Sequence, residues 1–319
     1  MNLKLLAPIL CLVPIASPSR AWADPVSPPQ ASASQSPAEP APAPPAPYSL
    51  PWQLRPAVVS TALRSDTVVA FLEDATGKGG ATVVTSVVGT YKLTPALAPL
   101  VRVAFVESAP ATGAGATTLA NPVLGATYAW KPTDELRVAC FLGIALPIGM
   151  GGGDSPDAAA AAATKSGILA RSAMDNAMFA VNHLTVFPGA GVAFVKYGLT
   201  AQLEATLLQL VRARGDRVEK DEARTNFTTG LHLGFFVLPD LSVSGELRYQ
   251  RWLSTPAAVA ADSTHASRDN LTAAIGPRFH FKVGHSTWVR PGISYGQGID
   301  DPMSRQSYRI VQVDVPVVF

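Results

Sequence analysis

The histidines, with the hydroxyls and carboxylates near them, are the residues of this chain best suited to acid–base or metal chemistry. The five are His183, His232, His265, His280 and His285. None belongs to an HExxH motif or shares metal-ligand spacing with a cysteine. One His-x-Ser sequence, His265-Ala266-Ser267 with Asp269 nearby, could activate a hydroxyl, but it lies in a polar stretch. We therefore predict no metal, no cofactor and no enzymatic activity.

A second set of polar residues occurs at alternate positions of apolar stretches. In Leu241–Ser254, Glu246 and Arg248 share one parity, while Leu247 and Tyr249 share the other. Successive side chains of a strand point to opposite faces, so each stretch has one polar and one apolar face. Cations outnumber carboxylates among our polar-face candidates, which are Arg102, Arg137, Glu204, His232, Glu246, Arg248, Arg278, His280, Lys282, Arg290 and Asp314.

The composition narrows the class of protein. Charged residues make up only 15% of the chain, against about 25% in soluble domains. The formal net charge is +2, so neither nucleic acid nor another polyanion is indicated as a partner. After residue 24, no apolar run is long enough for a membrane helix. Apolar residues spread in alternation are typical of a membrane β-barrel.

From Trp52 onward, the sequence predicts antiparallel hairpins whose strands carry these polar and apolar faces. We predict about twelve strands, with ten to fourteen as the range. Their bounds are Arg55–Glu73, Ala81–Leu93, Leu100–Glu107, Leu119–Trp130, Glu135–Gly149, Asn176–Val195, Leu199–Val211, Asn226–Leu238, Leu241–Ser254, Leu271–Val283, Thr287–Gln297 and Ser307–Phe319. The segment Asn176–Val195 could be one bulged strand or two short ones, because Pro188, Gly189 and Gly191 interrupt it. Short turns alternate with longer polar loops along the chain.

The last strand is the most informative segment. In Tyr308–Phe319, the residues Val311, Val313, Val315, Val317 and Phe319 share one parity, and the other parity carries Gln312 and Asp314. This strand resembles the closing strand of a bacterial outer-membrane β-barrel protein. The resemblance implies that the terminal aromatic is read by the barrel assembly machinery. It also implies an up-and-down antiparallel barrel, with outer-membrane lipid and lipopolysaccharide as its surroundings.

Aromatic residues on the apolar faces agree with two membrane interfaces. Tyr91, Tyr128 and Trp130 lie near short turns, whereas Tyr249 and Tyr295 lie near long loops. Rings with one polar edge prefer such interfaces. The alternative is that aromatics simply suit strands.

The amino-terminal residues predict export. Lys4, an apolar run and the sequence Ala21-Trp22-Ala23 form a signal peptide over residues 1–23, cleaved after Ala23. Residues 24–51 are rich in Pro and Ala and predict a disordered periplasmic linker. The linker is either a plain spacer or an arm that contacts peptidoglycan. The barrel is assigned to residues 52–319, and an even strand count places both termini in the periplasm.

Two long loops carry specific predictions. Met150–Asp175 is the third long loop, and Ser155, Pro156 and Asp157 predict the start of a short helix in it. By its ordinal position it is similar to the porin loop that folds into the lumen, although the helix could also lie over the mouth. Arg212–Thr225 mixes both signs of charge and is either a solvated loop or a contact for lipopolysaccharide.

The function that these features favour is passive passage of a small polar or anionic solute. The polar-face residues would line the path, together with Trp252 and Trp288. The alternative is a non-conducting structural or surface-interaction barrel whose interior charges pair across strands. A lipid hydrolase is a distant third possibility, because His265-Ala266-Ser267 is similar to the His-x-Ser of lipid A deacylases.

Overall fold

A computed structural model describes residues 47–73 and 77–319. The predicted signal peptide with Ala21 and Ala23, and the linker up to residue 46, lie outside the described residues. None of the helices in the described ranges has the length and apolar character needed to cross a membrane.

The described chain folds into one closed antiparallel barrel. Its strands are β1 Ala62–Glu73, β2 Gly79–Thr90, β3 Leu97–Ala109, β4 Ala116–Leu119, β5 Val123–Trp130, β6 Leu136–Ala145, β7 His183–Lys196, β8 Leu199–Arg212, β9 Ala223–Leu238, β10 Leu241–Trp252, β11 Asp269–Phe279, β12 Phe281–Val283, β13 Thr287–Val289, β14 Gly292–Gly298 and β15 Arg309–Val318. β4 pairs only with β3, while β12 and β13 extend β11 and β14 beyond a break. The other twelve strands form the wall, which closes where β15 pairs with β1 from Ala62↔Val318 to Phe71↔Arg309.

Alternation decides which face of the wall is buried. In β10, Ser242, Ser244, Glu246, Arg248 and Gln250 are all buried inside the barrel, whereas Val243 and Leu247 are exposed on its outside. The last strand behaves in the same way, with Gln312 and Asp314 inside and Val313 outside. A shift by one residue would exchange these faces, so the predicted phase is confirmed in both strands.

The two ends of the barrel differ. One end has short connections such as Tyr197–Gly198, Pro239–Asp240 and Gly284–Ser286, and we call it the short-turn end. The other end carries the connections that include 146–182 and 253–268, and we call it the long-loop end. The exposed aromatics Tyr91, Tyr128 and Trp130 lie near the short-turn end, and Tyr295 lies towards the long-loop end. The predicted alternation of short and long connections is confirmed from β3 onward, whereas the first two connections, 74–78 and 91–96, are similar in length.

Several predicted strand bounds were wrong, and three of the differences place residues outside the wall. The first strand begins at Ala62 rather than Arg55. Asn176–Phe179 is a short helix, α2, in which all four residues are buried, so the next strand begins only at His183. The predicted strand Leu119–Trp130 is interrupted at Asn121–Pro122, where the amide of Asn121 donates to Met178 O at 2.8 Å instead of to a neighbouring strand. Pro122 has no amide hydrogen for a ladder.

The helix predicted in the third long loop is present. It spans Ala158–Ala170 (α1), and its N-cap is Asp157, whose side chain accepts from the Ala160 amide at 2.8 Å. The cap therefore lies two residues after the predicted Ser155. α1 packs against β1, β2, β3 and β4, and Ala163, Gly167 and Ala170 are buried. The loop thus folds inside the barrel. Two small elements, α3 Ala257–Ala260 and a 3-10 turn Ala266–Arg268, lie in a later loop.

Candidate functional site in the barrel lumen

Residues 48–61, which we call the lumen segment, run through the interior before β1 begins. Ser49 and Trp52 are fully buried, and Leu54 and Ala57 nearly so. The amides of Trp52 and Gln53 donate to the Glu246 carboxylate at 2.8 and 3.0 Å. This segment was predicted partly as linker and partly as the first strand. Instead it is held by side chains of the wall.

Glycines on the inner face of the wall make room for the lumen segment. A Cβ at Gly230 would lie 2.5 Å from Leu54 Cδ2, and one at Gly292 would lie 2.7 Å from the Trp52 ring. A Cβ at Gly234 would overlap the side chain of Ser49. The segment therefore packs against a groove from which side chains are missing.

Two further ion-paired groups hold the lumen segment. Arg55 pairs with Glu204, its amide donates to the same carboxylate at 2.5 Å, and its guanidinium lies 4.2 Å from the centre of the Phe141 ring. Asp314 accepts from Arg64 at 2.8 Å and from Arg278 at 2.6 Å. Arg64 also donates to the carbonyl oxygens of Pro51 and Trp52. Charged groups that need partners in the interior thereby find them.

A four-residue ion cluster joins the third long loop to the wall. Arg171 donates to Asp66 of β1 at 2.6 Å and to Asp175 at 2.9 Å. Asp175 also accepts both guanidinium nitrogens of Arg102 in β3, at 2.7 and 2.8 Å. We call these four residues the loop ion cluster. It fixes the end of α1 to β1 and β3 on the inner face of the wall.

A cavity of about 160 Å³ remains between the lumen segment and the loop ion cluster. Its lining runs from Thr90 and Val318, at the short-turn end, to Arg171 and Met178 of the third long loop. Residues of the lumen segment and of β1, β2, β3, β5, β6, β7, β8 and β15 form its sides. We call it the lumen cavity. It shows that the interior is partly filled rather than packed solid.

All eleven sequence-predicted candidates lie on the inner face of the wall, and ten of them are buried or partly buried there. Glu204, His232, Glu246, Arg248, Arg278, His280 and Asp314 are buried there, and Arg102, Arg137 and Arg290 are partly buried. Lys282 is exposed at the short-turn end, in β12 beyond the break at His280, and its register partner Trp288 pairs with Val318, which lines the lumen cavity. Trp288 stacks with Arg290 at 5.7 Å and Trp252 with Arg224 at 5.7 Å.

His232 and His280 share a parity, as predicted, but each has its own surroundings. His280 Nε2 lies 2.9 Å from Ser242 Oγ and packs on the Phe236 ring. His232 is paired in register with Glu246 of the adjacent strand. Among the residues that the structure describes, no group of three or more His, Cys, Asp or Glu is arranged to hold a metal ion.

Sequence reasoning missed five of the charged residues that lie in the interior, Arg55, Arg64, Asp66, Arg171 and Asp175. Arg64 and Asp66 could have been found, because they share the inward parity of β1 with Val68 and Ala70. Arg55 and Trp52 could not have been found, because the sequence was interpreted as entering the first strand here and not as a segment inside the lumen. Arg171 and Asp175 were assigned to the loop, and only its fold brings them to Asp66 and Arg102.

The His-x-Ser sequence lies in a hydrogen-bonded turn of a long loop. Ser267 Oγ donates to Asp262 at 3.2 Å, and Asp269 accepts from Tyr249 and Arg251. The pKa of Asp262 is lowered to about 2, mainly because the Thr264 hydroxyl and amide donate to its carboxylate. The Asp262 carboxylate, which accepts from Ser267, therefore stabilises the turn.

The mixed-charge loop Arg212–Thr225 pairs within itself and with the third long loop. Arg212 lies 3.0 Å from Asp216, and Arg224 lies 3.4 Å from Glu219. Arg214 donates to Val181 O at 3.0 Å and to Gly149 O. The mixed-charge loop therefore contacts and stabilises the third long loop at the long-loop end.

Comparison with solved structures identifies the fold. The COG4313 outer membrane channel from Pseudomonas putida F1 matches over 84% of this chain and 98% of its own, with 12% identity and a TM-score of 0.50. The NanC porin matches over 80% and 98%, with 8% identity and a TM-score of 0.47, and the KdgM porin over 80% and 99%, with 10% identity and a TM-score of 0.45. No protein-family model and no curated protein matches the chain. The chain has the fold of outer-membrane β-barrel proteins, as its last strand predicted.

Proposed function

We propose that this protein is an outer-membrane channel for small polar or anionic solutes, closed in the conformation described above. The observation that carries the proposal is the lumen cavity, which leads from the short-turn end to the loop ion cluster. The remaining path is filled by the third long loop and by the lumen segment, both held by ion pairs, and not by a strand of the wall. Such a closure can be reversed without breaking the barrel.

The preference for anions is supported by the charges inside. Arg55, Arg64, Arg102, Arg137, Arg171, Arg248, Arg278 and Arg290 outnumber Asp66, Asp175, Glu204, Glu246 and Asp314. Arg137 and Arg290 have no carboxylate partner among the described contacts. Excess positive charge in a low-dielectric passage raises the local concentration of anions.

The proposal includes a location and an orientation. The apolar outer face of the wall fits outer-membrane lipid, and lipopolysaccharide would surround the long-loop end. Both termini would lie on the periplasmic side, where a linker over residues 24–46 could contact peptidoglycan.

Single-channel conductance in a planar bilayer tests the proposal. We expect the wild type to open rarely and Arg171→Gln to open often, because the variant loses the residue that bridges Asp66 and Asp175. The matched control is Lys165→Gln, which removes the same charge from an exposed position of α1. A reversal potential in a salt gradient should show anion preference. Equal conductance of the two variants, or a cation preference, would contradict the proposal.

A non-conducting barrel is the second candidate, and the loop ion cluster is the observation in its favour. It predicts that folded wild type and Arg171→Gln are both silent. The same recordings therefore separate the two functions.

A further inference from the structure

The surface of the lumen cavity is mainly apolar, although it lies in a charged lumen. Six of the side chains that line it are Leu54, Val59, Val88, Leu100, Phe141 and Met178. They come from the lumen segment, from three wall strands and from the third long loop. An apolar molecule in this space would contact apolar side chains on several sides.

The charged groups that border the cavity already have partners. Arg55 is paired with Glu204, Arg64 with Asp314, and Arg102 with Asp175. Arg171 is paired with both Asp66 and Asp175. In this closed conformation, a charged ligand would have to displace one of these carboxylates or arginines, and would leave that group buried without a partner. A neutral ligand leaves every pair intact.

The size of the cavity limits the ligand. An engineered protein cavity of about 150 Å³ lined by Leu, Ile and Phe binds benzene, and the lumen cavity has about the same volume, 160 Å³. Pockets for drug-sized molecules start at about 300 Å³. An oligosaccharide or a long acyl chain is therefore too large for this conformation.

We propose that the lumen cavity binds a small neutral apolar molecule of the size of a monocyclic aromatic compound. The ligand lies between the lumen segment and the loop ion cluster and contacts both. Binding therefore favours the closed arrangement. The inference goes beyond the proposed channel, because the site exists whether or not the barrel conducts.

Fluorine NMR with fluorobenzene tests the site in the full-length mature chain, refolded in lipid nanodiscs. We expect a saturable bound resonance in the wild type, distinct from the probe dissolved in lipid. Ala98 lines the cavity and is only 3% exposed, so the ring of Ala98→Phe fills the space and weakens binding by at least about tenfold. The matched control is Val101→Phe on the same strand, where the residue is 51% exposed on the lipid face and binding stays unchanged.

A second variant keeps the test decisive if Ala98→Phe does not fold. Leu100→Ala enlarges the cavity and should shift the preference from fluorobenzene to fluoronaphthalene. An absent bound resonance in the wild type overturns the proposal, as does one that both variants leave unchanged. Tighter binding of 4-fluorobenzoate than of fluorobenzene would overturn the neutral ligand class. None of these readouts depends on conductance.

Discussion

At the scale of single residues, Glu246 shows how the interior is organised. Alternation along β10 predicted that this carboxylate faces the lumen, and it does. Its partners were not predictable, because two of them are the amides of Trp52 and Gln53, about 190 residues earlier in the chain. The third, Arg248, lies two residues away on the same face at 2.6 Å. One carboxylate thus holds both the wall and the lumen segment.

Replacing Glu246 with Gln tests this role. The variant leaves Arg248 buried without its charge partner, and breaking a buried pair costs roughly 3–5 kcal/mol. We expect a lower midpoint in urea unfolding, followed by tryptophan fluorescence. The matched control is Glu107→Gln on the exposed face of β3, which should change the free energy of unfolding by less than about 0.5 kcal/mol. Equal effects of the two variants on the unfolding midpoint would show that the Glu246 carboxylate does not stabilise the barrel.

At the scale of elements, the lumen segment is the main departure from the predicted fold. Residues 55–61 were predicted to be the start of the first strand. A strand needs a partner, and β1 meets both neighbours only from Ala62 onward. The third long loop is the opposite case. Its helix was predicted from local signals, because helix propensity and capping act within a few residues.

Gly230→Leu tests how the lumen segment is held. The new side chain would occupy the space of Leu54, since a Cβ there already lies 2.5 Å from Leu54 Cδ2. We expect the segment to leave the wall and chymotrypsin to cut after Trp52 or Leu54. Gly245→Leu is the matched control, because its Cβ would meet only Ala274 O, at 3.7 Å. Resistance of both variants to chymotrypsin would mean that the groove does not hold the segment.

At the scale of the whole molecule, closure of the barrel depends on β15. This strand pairs with β1 over ten residues and with β14 on its other side. Phe319, 61% exposed, follows β15, and its amide donates to Thr61 O at 3.0 Å. The terminal aromatic is thus outside the packed interior, and its predicted role is in assembly rather than in stability.

Replacing Phe319 with Asp should therefore block assembly in cells while leaving refolding in detergent intact. The readouts are heat-modifiable migration on a gel and protease resistance in membranes. Phe281→Asp is the control, since Phe281 is another exposed aromatic at the short-turn end, 48% exposed, and should assemble normally. Normal assembly of the Phe319 variant would contradict the role that the resemblance implies.

The sequence by itself determined the barrel, the phase of its strands and most of the inward-facing charges. Period-two alternation is a local property, so Glu246, Arg278 and Asp314 could be assigned to the interior from their own strands. Only the tertiary structure decided what fills that interior. Contacts such as Arg55 with Glu204 and Arg171 with Asp66 join residues far apart in the chain, and no local pattern encodes them. The groove of Gly230, Gly234 and Gly292 also depends on the tertiary structure. A missing side chain makes room for another segment only where the fold brings that segment against the glycine.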